Sequence, residues 1–561
     1  MEKVYKRRHK KLRGSMTVFA ALCAGLFLSA VFAFLEAARV SELKTNARLS
    51  TLQAADSLLS EYNNALFSDY GVLFWQGSEE GGYRSVSAAA SQQEDFVAAN
   101  YEDSGDGENY YLLGLTLSDV TVDGYELATD NGGSVFRVQA AQAVKGLLAE
   151  DAVSTLKDWI ETAEEGGTDE TELSELEDTA SDTLATLQEA QSSLSEELSE
   201  AKTTLSETKA KIKKLKKELQ ALQAAASENE TEQEAAEREA SIQTLTDSIA
   251  SLTDKQEELE ETIESLQASI QEQKALLKDN PLTWLKKIKK QGVLALVLDS
   301  TAVSSTEIDQ SDLCSQRTLN TGSGMDTTSS TATQNLLFQY YLQEVFSCYT
   351  SEEKDGTLDY EMEYCLIGKD SDTTNLKKTV KRLLLLREGI NYAYLLTDAA
   401  KQEKALTLAV SIASAFALPE LAPVIEQGIL AAWAYAESLS DVRILLNGYK
   451  VSLVKTSAQW HTDLDDLSGA LSGTKGKKQK GLTYAQYLQI LLSGVGKKKL
   501  TYRAMDLIEE EEDVQMDTMV SQMDCTYRFE AKPLFWSFVS LGSGSLTTLT
   551  FPQTQLLTYT P

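Results

Sequence analysis

The sequence predicts an α+β protein with an N-terminal transmembrane helix and a long antiparallel coiled-coil hairpin inserted into its ectodomain. Three observations lead to this prediction: an uncharged apolar run near the N-terminus, a long stretch of heptads, and alternating segments on both sides of the heptads. The predicted organisation has five parts: a basic cytoplasmic leader (1–14), a transmembrane helix (15–38), a juxtamembrane helix with the first part of the α+β ectodomain (39–170), the hairpin (171–280) and the second part of the ectodomain (281–561).

The membrane helix is predicted from the twenty uncharged residues Met16 to Leu35, which follow a leader with seven Lys and Arg residues. At ~1.5 Å per residue this run is ~30 Å long, the thickness of the hydrocarbon core of a bilayer. A buried core helix is the alternative, but the polybasic flank favours a span. The positive-inside rule places residues 1–13 in the cytoplasm and the chain after about Arg39 outside. We therefore expect a single-pass cell-membrane protein that contacts the lipid bilayer through residues 16–35.

Two cleavage schemes compete at this anchor. A signal peptidase site needs small residues near the end of the apolar run, and Leu35 and Glu36 interrupt the candidates, which favours retention of the helix. The leader that ends in Gly14 and Ser15 resembles class III prepilin leaders, which are cut after such a glycine. The fifth residue after that glycine is usually Glu in prepilins, whereas it is Phe19 here. Glu36 is a candidate lateral contact in an assembly, and a solvated boundary residue is the alternative.

The hairpin is predicted from two series of apolar positions, at 194–226 and 242–277, that step by threes and fours. The segment 227–234 carries no apolar seam residue and the two series are out of phase, which indicates two antiparallel helices. One continuous helix in a parallel dimer is the alternative. The lysines of 209–217 would best face the glutamates of 257–264 if the turn lay nearer Ala236, so the position of the turn stays open.

The ectodomain is predicted to mix helices and strands. Helices are expected at 40–70, after Gly133, and at 376–396, 405–418, 483–494 and 500–512, with a loop at Gly77 to Gly82. Strands are expected at 115–127, 292–299, 358–369, 451–456, 519–529 and 546–551. Because a lone strand is marginal in water, the strand at 115–127 should pair with later strands around 294–299, 358–367 and 519–529. This pairing would make the coiled coil an arm inserted into one domain.

Composition and chemistry exclude several classes of function. A net charge of −33 argues against nucleic-acid binding, which needs basic residues to neutralise phosphates. No CxxC pair signals zinc or a disulfide framework; Cys23 lies in the apolar run, and the pairing state of the other cysteines, Cys314, Cys348, Cys365 and Cys525, stays open. The acidic WHTDLDD segment around His461 does not have the spacing of an EF-hand. We expect no catalytic residues, no metal, no cofactor and no enzymatic activity.

Several segments resemble an uncharacterised domain-of-unknown-function family of membrane-anchored proteins from Gram-positive bacteria. The resemblance is carried by GSMTVF, LEAARV, SLLSEYNNALFSDYGVLFW, LDYEMEYCLIGK, LAAWAYAESLSDVRILLNGYKVSLVKT and GLTYAQYLQILL. The family looks distantly related to the TadE/TadG-like group, whose members accompany Flp pili. The resemblance implies a role in pilus assembly and no catalytic residue.

Two functions from different classes therefore remain. The first is a non-enzymatic structural or assembly protein of the cell surface, which docks envelope or pilus-system proteins through its coiled coil. The second is an extracytoplasmic binding module for an envelope polymer or ligand, with the coiled coil as a spacer. A homo-oligomer is compatible with either function. A hydrolase that uses carboxylate chemistry ranks last, because no constellation of residues supports it.

Overall fold

The computed structural model of the protein describes residues 14–76, 86–99, 113–226, 231–278, 280–298, 303–471, 480–535 and 548–559. The loop predicted at Gly77 to Gly82 lies outside the described residues. Helices make up 69 % of the described residues, so the predicted mixture of helix and strand is present with helix dominant.

The described helices that precede the central helix pair are short apart from the first. They are α1 (Gly14–Leu59), α2 (Asn64–Tyr70), α3 (Val86–Ala99), α4 (Asp130–Lys145) and α5 (Ala152–Gly166). The central pair and two short helices follow, as α6 (Glu170–Ala224), α7 (Glu232–Lys278), α8 (Pro281–Lys289) and α9 (Val293–Val297). The remaining helices are α10 (Ala332–Val345), α11 (Glu361–Ile367), α12 (Asp372–Leu395), α13 (Ala399–Ala415), α14 (Ala422–Leu446), α15 (Tyr484–Ser493) and α16 (Lys497–Glu512).

One antiparallel sheet of three strands, in the order β1-β2-β3, lies within the described residues. Its strands are β1 (Leu115–Leu127), β2 (Val520–Ala531) and β3 (Leu549–Thr558). The strand predicted at 115–127 is confirmed, and it pairs with the predicted strand near 519–529, with Val120 opposite Tyr527. A strand from before the helix pair thus pairs with one from near the C-terminus. Apolar residues on one face of this sheet pack with Leu43, Ala47, Ala54 and Leu58 of α1.

Three predicted strands are wrong. Residues 358–369 contain helix α11, in which all seven residues are buried, so the alternation of polar and apolar residues does not mark two faces of a strand. Residues 292–299 contain the short helix α9, because a short apolar run does not distinguish a strand from a buried helix. Residues 451–456 form only an isolated bridge between Val451 and Leu482.

The central pair consists of two separate helices that pack against each other. α6 ends at Ala224 and α7 begins at Glu232, so the break lies around the seam-free segment and before Ala236. Lys209 of α6 bridges Glu260 of α7 at 2.7 Å, which matches the predicted facing of these lysines and glutamates. Heptad packing as a coiled coil stays a prediction.

The larger core is helical and includes residues from both sides of the central pair. α14 lies at its centre, with nearly every residue from Gly428 to Leu446 buried, and α12, α13, α6 and α8 pack around it. α6 contributes Leu173, Ala180, Leu184 and Leu187 to this core. The base of the pair is therefore part of the body. The predicted boundaries between domains stay predictions.

Candidate functional sites

The apolar half of α1 is the first candidate site. Met16–Leu59 is the helix among the described residues that is long and apolar enough to cross a membrane, and none of its most apolar window is buried. A helix of this kind near the N-terminus fits a membrane anchor or a signal sequence. Gly14 and Ser15 form the first residues of α1. The proposed cut between them stays a prediction.

Glu36 lies where the apolar run ends, and it is fully buried rather than solvated. Arg39 donates a hydrogen bond to Glu36 Oε1 at 3.0 Å. The backbone N–H groups of Leu534 and Phe535 also donate to its carboxylate, the latter at 2.7 Å from Oε2. Glu36 thus joins α1 to the chain that leaves β2. A role in contacts between molecules stays a prediction.

The second candidate site is the two-helix arm, defined as residues 191–224 of α6 and 232–262 of α7. Residues that α6 buries in the body, including half-buried Ala190, all precede the arm. Thr208 and Ile212 are buried within the arm, while most of its other side chains are exposed. At ~1.5 Å per residue, the arm portion of α6 is ~50 Å long. Exposed lysines cluster on it, at positions 209, 211, 213, 214, 216 and 217.

The third candidate is a buried cluster of charges beneath His461. α14 presents Glu437 and Asp441 one helical turn apart, and α12 presents Arg387. Arg387 Nη2 lies 2.9 Å from Asp441 Oδ2, and all three side chains are fully buried. Asn391 of α12 also donates to Asp441 at 3.0 Å.

The segment after α14 closes this cluster. The Lys455 ammonium pairs with Glu437 and lies 2.5 Å from Asp441 Oδ1. The backbone N–H groups of His461 and Thr462 donate to the Glu437 carboxylate at 3.0 and 2.8 Å. Burial by itself would raise the pKa of Glu437, but Lys455 and His461 outweigh it and lower this pKa to about 2.

Glu437, Asp441 and His461 have the donor set of a metal centre, with ligand atoms within 4.8 Å of one another. The Lys455 ammonium, however, already lies against both carboxylates, and Arg387 supplies a second positive charge. Two buried carboxylates therefore face two buried cations. This arrangement fits a structural ion-pair network that ties α12 and α14 to the following segment.

The fourth candidate is an acidic cleft of about 590 Å³ between α2, α16 and the loop after α10. The described residues that line it include no Lys or Arg, and they include eight carboxylates: Asp69, Glu344, Glu352, Glu353, Asp355, Glu361, Glu511 and Glu512. Burial raises the pKa of Glu361 to about 7, although Ser347 donates to its Oε2 at 2.9 Å. Burial and the neighbouring Asp69 raise the pKa of Glu512.

The three aspartates of the WHTDLDD turn have partners within the chain. Lys404 of α13 pairs with both Asp463 and Asp465. The Asp466 carboxylate accepts the N–H of Gly469 at 3.0 Å. His461 points its Nδ1 to Glu437, 3.0 Å away, instead of joining the aspartates.

The buried charge cluster was not predicted from the sequence. One signal was present: Glu437 and Asp441 stand four residues apart in LAAWAYAESLSDVRILL, a run whose one other charged residue is Arg443. Charged residues at this spacing on a buried helix need internal partners. Lys455, which lies 14 residues after Asp441, could be assigned as that partner only from the fold.

Comparison with known proteins gives one match. Residues 271–532 match the model of a family of unknown function, DUF5702. The matched region begins within α7 and ends just after β2, so it includes most of the helical body but neither α1 nor α6. No curated protein and no solved structure matches the chain.

Proposed function

We propose that this chain is a membrane-anchored, extracytoplasmic assembly protein that docks envelope proteins through the two-helix arm. The observation that carries the proposal is the exposure of two parts of the chain, the apolar part of α1 and the two-helix arm. The apolar part of α1 has no buried residue in its most apolar window, and the arm, which extends ~50 Å along α6, presents its lysines to solvent. The body between them is held by a helical core and a three-stranded sheet, and its ionic cluster is satisfied internally.

The positive-inside rule supports the orientation, since the leader is basic and the body is acidic. The resemblance to the TadE/TadG-like group supports components of a pilus system of Gram-positive bacteria as the class of partner. Alternating lysines on α6 and glutamates on α7 offer a partner helix both signs of charge, which favours specificity in helix pairing.

A second candidate function has a specific observation in its favour. The acidic cleft has the size of a ligand pocket, and its carboxylates suit a cationic ligand or a cationic group on an envelope polymer. In this function the arm is only a spacer.

Site-specific photo-cross-linking in intact cells separates the two functions. A photoreactive residue is placed at exposed Lys213 on the arm and, in a second strain, at exposed Glu353 on the rim of the cleft. We expect a defined membrane or envelope protein to cross-link at position 213 and not at 353. Capture of a cationic ligand or polymer at position 353 alone would support the second function, and capture of a second copy at 213 would define the partner as the chain itself.

Charge reversal on the arm is expected to weaken the cross-link at position 213. With the photoreactive residue kept at position 213, replacement of Lys214, Lys216 and Lys217 by glutamate should reduce the cross-link yield at least tenfold, because these lysines are exposed on the arm beside it. The control replaces three exposed body lysines of α8 and its end: Lys286, Lys287 and Lys290. If both triple variants cross-link equally well, the arm is not the docking element.

A further inference from the structure

The membrane end of the ectodomain contains a second apolar element besides α1. We propose that the chain leaving β2, residues 532–535, is a second membrane contact that enters the outer leaflet beside α1. This inference rests on the proposed anchoring by α1. It assigns a lipid surface as the partner of a segment near the C-terminus.

The first step is the attachment of this segment to α1. Glu36 is fully buried and accepts the backbone N–H groups of Leu534 and Phe535. Arg39, one turn further along α1, pairs with the same carboxylate at 3.0 Å and donates to the carbonyl of Leu113, two residues before β1. The polar groups at the end of the apolar run are therefore bonded to the chain itself, which fixes the depth of residues 534 and 535 relative to α1.

The second step is the depth of Phe535 relative to the apolar run of α1. The Phe535 ring stacks on the ring of Phe32, with centroids 5.8 Å apart and planes at 12°. Phe32 lies four residues before Glu36, which is ~6 Å along the helix axis toward the cytoplasmic end. Because it belongs to the uncharged run 16–35, its level is within the hydrocarbon region of a bilayer that this run spans. Phe535 therefore reaches the same level.

The third step is the exposure of apolar side chains at this end of the molecule. Leu534 is 43 % exposed, and at the same end of the molecule Phe34 and Leu35 of α1 are 78 % and 46 % exposed. Lys532 is exposed two residues before Leu534, where its ammonium can meet lipid headgroups. With α1 anchored as proposed, lipid tails surround it at this level, so they are the occupant that fits these exposed apolar side chains. Two contacts restrict the tilt of the ectodomain in a way that one helix alone does not.

The test uses the full chain in nanodiscs of phosphatidylcholine and phosphatidylglycerol, with Cys23→Ser to remove the exposed thiol. A bimane label is attached to Leu534→Cys and, in separate variants, to Leu26→Cys in the apolar run and to Leu396→Cys on the body. Leu396 is 44 % exposed and so matches Leu534. Lipids that carry a doxyl quencher at carbon 5 or carbon 12 report depth, and an unchanged melting temperature checks each labelled variant.

We expect 5-doxyl lipid to quench the label at 534 at least twofold, 12-doxyl lipid to quench the label at 26, and neither to quench the label at 396. Quenching at 26 without quenching at 534 would overturn the second contact and leave the anchor intact. Absence of quenching at both 26 and 534 would overturn the anchor as well. Quenching at 534 no greater than at 396 would show that Phe535 only covers Phe32 within the protein.

Discussion

Replacement of Lys455 by methionine is expected to lower the free energy of unfolding by about 3–5 kcal/mol. The Lys455 side chain is fully buried against Glu437 and Asp441, which are also fully buried. Without the ammonium, two carboxylates in a site shielded from water share only Arg387 and the imidazole of His461. Denaturant unfolding in detergent micelles, followed by tryptophan fluorescence, measures the change, since Trp460 lies close to Lys455.

The matched control is Lys404→Met on the surface of the same region. Lys404 is 38 % exposed, and its partners Asp463 and Asp465 are 66 % and 78 % exposed. Exposed ion pairs of this kind contribute about 1 kcal/mol or less. Addition of Glu437→Gln to Lys455→Met should recover part of the loss, because one uncompensated charge is removed. Equal effects of Lys455→Met and Lys404→Met would contradict the buried ionic cluster.

The body is expected to be more stable at pH 5 than at pH 8. Burial raises the pKa of Glu361, Glu363 and Glu388 from the ordinary 4.5 to about 7 in each case. The folded protein therefore binds protons that the unfolded chain releases between about pH 4.5 and pH 7. The stabilisation from each group is fully present below about pH 4.5 and is lost as the pH rises through 7, by on the order of 3 kcal/mol per group.

The stability contributed by Glu437 changes with pH in the opposite direction, because the pKa of Glu437 is lowered to about 2. Its contribution is present above pH 4.5 and is lost as the pH falls toward 2, so stability should be greatest near pH 4.5–5. Melting temperatures measured from pH 3 to pH 9 test this dependence. Glu388→Gln should flatten the decline between pH 5 and 8, whereas Glu510→Gln, at an exposed position of α16, should not. A melting temperature that rises from pH 5 to 8 would contradict the account.

The elements with strong periodicity could be predicted from the sequence. The apolar run of α1, the strand at Leu115–Leu127 and the long helices α6 and α7 each repeat one pattern over many residues. The break between α6 and α7 follows from the absence of apolar residues in SENETEQE. Local pattern is sufficient in these cases because the same pattern continues over the whole element.

The buried part of the body could not be predicted in the same way. In α11 the sequence EMEYCLI alternates like a strand, yet Glu361 and Glu363 are buried with their neighbours and accept backbone N–H groups of Ser347 and Tyr349. Those donors lie 14 residues earlier in the sequence. When carboxylates are satisfied by distant backbone groups, polarity no longer marks the solvent side.

The candidate sites show the same limit. The basic leader and apolar run predict an anchor directly, but the contacts that bury Glu36 come from residues 534 and 535, about 500 positions away. The eight carboxylates of the acidic cleft come from α2, α11, α16 and the chain near α10, and they meet only in the folded body. The charged residues are evident in the sequence, but their proximity in space could not be predicted from it.

The measurement that tests the central claim most directly is the topology of the chain in intact cells. In a Cys23→Ser background, Ser248→Cys places an exposed thiol on the arm and Lys6→Cys places one in the leader; the other native cysteines are buried. A membrane-impermeant maleimide is expected to label position 248 in intact cells and position 6 only after permeabilisation. Labelling of position 6 but not 248 in intact cells, or recovery of the protein in the cytosolic fraction, would contradict an extracytoplasmic arm on a membrane anchor.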